Sequence, residues 1–67
     1  MEAKWKNFSV EYKETGEKFK WAFRKEGKYW MLKDHENYER TLEANWIDSV
    51  PRIQDIASNY GMICRIS

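Results

Sequence analysis

The chain has 67 residues, 12 Lys and Arg against 11 Asp and Glu, a net charge of +1, one Cys and one His. That is enough for one small domain, residues 1–67, and it excludes an internal disulfide and a four-coordinate zinc site built from Cys and His alone. So small a net charge also gives no whole-molecule attraction to nucleic acid or to an anionic membrane.

A short chain without cross-links needs large apolar side chains. Four Trp, four Tyr and three Phe supply them, and most are assigned to a Trp-rich core. The opening residues, Met1 to Lys6, are charged and reach no apolar core of a leader peptide. No apolar run approaches the ~18 residues of a spanning helix. One thiol and no secretory signal predict a cytoplasmic protein without membrane contact. Charge is uneven: residues 1–33 hold nine Lys/Arg and five Glu, residues 34–67 three Arg and six Asp/Glu.

The first strand is predicted over residues 4–13. Phe8, Val10 and Tyr12 alternate with Ser9, Glu11 and Lys13. Ala3 and Trp5 alternate on the other parity, so a bulge at Lys6-Asn7 is expected to return Trp5 to the face of Phe8. Gly16 marks a tight turn, and a two-residue Thr15-Gly16 loop sets Tyr12 opposite Phe19, Val10 opposite Trp21 and Phe8 opposite Phe23. It also sets Glu11 opposite Lys20.

The second strand, residues 18–24, alternates strictly. Phe19, Trp21 and Phe23 share one face; Lys18, Lys20, Ala22 and Arg24 share the other. A Glu26-Gly27 loop then places Phe23 opposite Trp30 and Trp21 opposite Leu32. Residues 33–37 read as a polar loop. Residues 38–46 are ambiguous: Tyr38, Leu42 and Trp46 suit a helix by spacing and a strand by parity, and a fourth antiparallel strand is preferred.

Residues 49–60 form the clearest helix. Ser49 or Asp48 can cap it, and Pro51 falls in its first turn. Val50, Ile53, Ile56, Ala57 and Tyr60 make an apolar stripe, and Gly61 ends it. Residues 62–66 read as a last strand. The expected fold is α+β: a mainly antiparallel β-β-β-β-α-β sheet with one helix across one face.

No catalytic or metal-binding set emerges, and no cofactor is implied. His35, between Asp34 and Glu36, reads as a solvated loop residue rather than a general base. Cys64, in an apolar strand, reads as a small buried hydrophobe. The carboxylates lack calcium-loop spacing and no glycine-rich phosphate loop is present. Single-stranded nucleic acid is the runner-up ligand, because Lys and aromatic residues interleave in sequence. On a strand, however, alternation sends those two sets to opposite faces. The leading expectation is therefore a non-enzymatic protein-interaction module, binding an unidentified protein or a second copy of itself. Its expected site is the open sheet face or an edge, with Arg24, Tyr29, Met31, Lys20 and Lys33 around Ala22.

Overall fold

A computed structural model describes residues 4–66; the alternation at Ala3 lies outside them. Strands β1 (Lys6–Tyr12), β2 (Lys18–Glu26), β3 (Tyr29–Lys33) and β4 (Glu39–Thr41) precede helix α1 (Trp46–Asn59) and strand β5 (Met62–Cys64). The strands form one antiparallel sheet in the order β4-β3-β2-β1-β5. This is the α+β architecture that the alternation and the amphipathic stripe predict.

Both hairpins pair two residues away from the expected register. In the first, Val10 faces Phe19, Phe8 faces Trp21 and Glu11 faces Lys18. The Tyr12 N–H donates to the Glu17 carbonyl at 2.7 Å and the Gly16 N–H to the Tyr12 carbonyl at 2.8 Å, so residues 13–16 make the turn. A Thr15-Gly16 loop of type I′ needs positive φ at both residues, which β-branched Thr15 resists. The longer turn needs one such residue, and Gly16 supplies it at φ 74°.

The second hairpin follows the same logic. Glu26 faces Tyr29, Lys25 faces Trp30 and Phe23 faces Leu32, which leaves Gly27-Lys28 as the loop. Gly27 has φ 59° at the first central position, the place where a type II′ turn requires glycine. Because side chains repeat every two residues along a strand, shifts of two leave the strand residues from Phe8 to Leu32 on their expected faces.

No bulge interrupts β1: Lys6, Asn7 and Phe8 pair in sequence with Phe23, Ala22 and Trp21. Trp5 therefore stays out of phase with Phe8 and lies on the opposite side, with Asn7. The fourth strand is shorter than residues 38–46. Beyond it, the Leu42 N–H still reaches the Trp30 carbonyl at 2.7 Å, and then the chain turns into the helix.

Helix α1 starts three residues before Ser49, with Asn45 as the N-cap residue. Ser49 is not a cap because its buried hydroxyl is used in the first turn. It accepts the Glu43 N–H at 3.1 Å and lies 2.8 Å from the Asn45 carbonyl, to which it can donate. Pro51 consequently sits in the second turn, and its missing N–H leaves the Ile47 carbonyl without a helical donor. Ile53 and Ala57 are fully buried, and Ile56 and Tyr60 pack beside them. Gly61 closes the helix at φ 73°, its N–H reaching the Ser58 carbonyl at 2.9 Å.

The core joins Val10, Trp21, Leu32, Leu42, Ile53, Ala57, Met62 and Cys64 between the sheet and the helix. Phe23, Trp30 and Trp46 extend it, with Trp46 ring centroids 4.7 Å from each of the other two. Ile47, one residue on, is 84% exposed. No helix of the described residues is long and apolar enough to cross a membrane.

Candidate functional site

Strand parity places Trp5, Asn7, Ala22, Arg24, Tyr29, Met31, Lys20 and Lys33 on the sheet face turned away from α1. The pairing then fixes their neighbours. Asn7, Ala22 and Lys33 form one cross-strand row, and Arg24 and Met31 meet in the next. Lys20 precedes Ala22 by one pleat, facing Ser9. All five residues expected at the site thus share a face, with Tyr29 at its hairpin end.

Their chemical states differ. The Arg24 side chain is only 13% exposed and its Nη2 donates to Glu26 Oε2 at 2.8 Å. Its guanidinium carbon lies 4.7 Å from the centre of the Trp5 ring, and the Lys33 ammonium lies 4.6 Å from the same ring. An indole face attracts cations through its quadrupole, so Trp5 holds both side chains close to the sheet. Met31 is half-buried and its Sδ accepts a hydrogen bond from the Thr41 hydroxyl at 3.5 Å. Tyr29 is 51% exposed. Ala22 is buried and forms the floor.

Beside that floor is a shallow cavity of about 300 Å³, lined by Asn7, Lys20, Ala22, Lys33 and Asn37 together with Trp21 and Asp34. Three carboxylates share the same face. Glu26 pairs with Arg24, Glu39 faces Lys33 across the strands, and Glu11 lies 3.9 Å from Arg65. Among the described residues, these three carboxylates stand among the basic groups Lys18, Lys20, Arg24, Lys33 and Arg65 of the face.

A second cluster sits at the end of the core. Asp34 is a buried carboxylate with both oxygens engaged. Oδ1 accepts the N–H groups of Glu36 at 2.9 Å and Tyr38 at 3.1 Å. Oδ2 accepts Arg40 Nη1 at 2.7 Å and the Tyr60 hydroxyl at 3.2 Å. Burial alone pushes the Asp34 carboxyl up, but the Arg40 bond, the two N–H groups and Tyr60 outweigh it and hold it below its ordinary value. Arg40 faces Leu32 on the core side of β4 and stacks 4.6 Å from the Tyr38 ring.

His35 differs from its expected place in solvent. It is half-buried, its Nδ1 accepts the Trp21 indole N–H at 3.2 Å, and its ring lies 5.0 Å from Phe19 and 5.4 Å from Tyr60. Asp34 and Asn37 carried a readable signal for this loop. Asp accepts the N–H two residues on, and Asn tolerates the left-handed conformation that Asn37 adopts at φ 64°. The Asp34 cluster engages its polar groups with one another. Cys64 is buried, and burial pushes its thiol up, partly offset by the Ile66 N–H. Among the described residues, no three His, Cys, Asp or Glu converge as a metal site.

No protein family, curated protein or solved structure matches this chain.

Proposed function

We propose that this chain is a cytoplasmic, non-enzymatic protein-interaction module that binds a partner protein on the sheet face opposite the helix. The observation that carries this reading is the position of Trp5. It adds an indole to the face of Tyr29, Met31 and Ala22, and it draws Arg24 and Lys33 toward itself. Trp, Tyr, Met and Arg are the residue types that concentrate at protein interfaces.

The same indole beside two cations is also what favours the second reading, single-stranded nucleic acid, where bases stack on aromatics between basic groups. Charge balance speaks against it. A phosphate backbone laid across this face meets Glu11, Glu26 and Glu39, and Arg24 is already neutralised by Glu26.

The test is capture from source-cell lysate on immobilised protein, with and without nuclease, at low and at physiological salt. A protein contact centred on apolar burial should survive both treatments. It should disappear in a Tyr29→Ala/Met31→Ala variant that remains folded, since neither residue belongs to the core cluster. Sedimentation of the purified chain covers the case in which the partner is a second copy. Partners lost with nuclease and salt establish the nucleic-acid reading instead. Partners kept by the double variant place the site elsewhere.

A further inference from the structure

We infer that the cavity between Lys20 and Lys33 is an anion pocket that seats one Asp or Glu side chain of the protein partner. The inference rests on the interaction module proposed above and names the partner's chemistry.

The lining is rich in donors. Lys20 and Lys33 bring ammonium groups, and Asn7 and Asn37 bring side-chain amides around the buried methyl of Ala22. Asp34 also lines the cavity, but its carboxylate is fully buried and committed to Arg40, Tyr60 and two backbone N–H groups. Among the described residues, neither lysine makes an ion pair within the chain. Lys33 does lie over the Trp5 ring, which fixes its position. An ammonium carries three donors, so that contact leaves donors for a ligand.

Charge matching selects a carboxylate. Two lysines face the cavity and Glu39, opposite Lys33, supplies one compensating negative charge. One positive charge is left, and one carboxylate cancels it. A phosphoryl group, carrying a charge near −2 at neutral pH, overshoots. Trp5 lies outside the lining and is coupled to the pocket through Lys33, whose ammonium sits over its ring. The cavity at the other end of the face has a different character: Lys18 and Arg65 share it with Glu11, which lies 3.9 Å from Arg65. Its compensating carboxylate lines the cavity itself, whereas Glu39 lies outside the lining between Lys20 and Lys33.

The probe pair is acetyl-Leu-Glu-Leu-amide and its Gln counterpart, titrated into isotope-labelled protein and followed by NMR. The Glu peptide should move the side-chain amides of Asn7 and Asn37, the backbone amides of Ala22 and Lys33 and the Trp5 indole. The Gln peptide should bind about tenfold more weakly, the loss expected for one charge-assisted hydrogen bond. A Lys20→Gln/Lys33→Gln variant with an unchanged melting temperature should show the same loss. Equal binding of the two peptides, shifts confined to other residues, or no shifts at all would overturn the pocket. So would inorganic phosphate or oligothymidylate saturating the same signals at lower concentration than the Glu peptide. Natural partner capture separates the two levels of the argument. If Lys20→Gln/Lys33→Gln leaves capture intact while Tyr29→Ala/Met31→Ala removes it, the pocket fails and the module stands. If Tyr29→Ala/Met31→Ala leaves capture intact, the module itself fails.

Discussion

Asp34→Asn is the substitution that most directly probes how the fold is held. The variant keeps the shape of the side chain and can keep an oxygen toward the N–H groups of Glu36 and Tyr38. It loses the negative charge that accepts Arg40 at 2.7 Å, and it sets an amide donor against the Tyr60 hydroxyl. A hydrogen bond to a charged group contributes roughly 1.5–3 kcal/mol, and breaking one partner of a buried pair costs more. Arg40 keeps 27% of its side chain in solvent, which tempers the penalty of leaving it unpaired. The expected loss is about 2–3 kcal/mol. For a domain of this size that lowers the melting temperature by roughly 10–20 °C, readable by circular dichroism. The pH dependence gives an independent check. The folded carboxyl lies below its ordinary value of 3.8, so its stabilisation is complete above that value and fades as pH falls through the folded one. The gap between native protein and Asp34→Asn should therefore be constant near neutrality and narrow below pH 3.8. A gap of less than about 2 °C at neutral pH, or one unchanged down to about pH 2, would refute this account of the Asp34 cluster.

Two further outcomes follow from the core. His35→Ala removes the acceptor of the buried Trp21 indole N–H and should destabilise by about 1–3 kcal/mol in chemical denaturation; an unchanged midpoint means that solvent replaces the ring. Cys64 should react with a thiol reagent only at the rate of local opening, because it is buried and its thiol is pushed up by burial. Labelling as fast as in denaturant would show an accessible thiol.

The faces of the strands were legible because alternation depends only on the pleat. Phe19, Trp21 and Phe23 declare one side wherever the turn falls. Register was not legible to the same degree. It depends on whether Thr15 and Glu26 accept positive φ, and both defer to the adjacent glycine. The position of Trp5 is not legible in the same way, because burying its indole beside Phe8 calls for a bulge that β1 does not form. The observed solution buries half of Trp5 under two cations on the opposite face, a cross-strand arrangement with no local trace. His35 was missed for a related reason: flanking acids suggest solvent, while its partners Phe19, Trp21 and Tyr60 come from elsewhere in the chain. The helix start moved because Ser49 resembles a cap in sequence, yet its hydroxyl serves the loop at Glu43 and Asn45.

The two clusters are joined by the loop between β3 and β4. Asp34 ties its beginning to Arg40 and Tyr60, and the Asp34 N–H and carbonyl bond Tyr38 and Asn37 at 3.2 and 3.1 Å. Those bonds hold Asn37 in its left-handed conformation, at the rim of the cavity beside Lys20 and Lys33. Asp34 lines the cavity while its charge is spent inside the protein. A buried carboxylate left unpaired there would repel an incoming acid; paired with Arg40, it instead fixes a donor at the pocket's edge. The polar network under the loop therefore serves both the fold and the proposed site. It pairs the Asp34 charge with Arg40 and sets Asn37 at the rim of the proposed pocket before any partner arrives, which lowers the ordering cost of binding there.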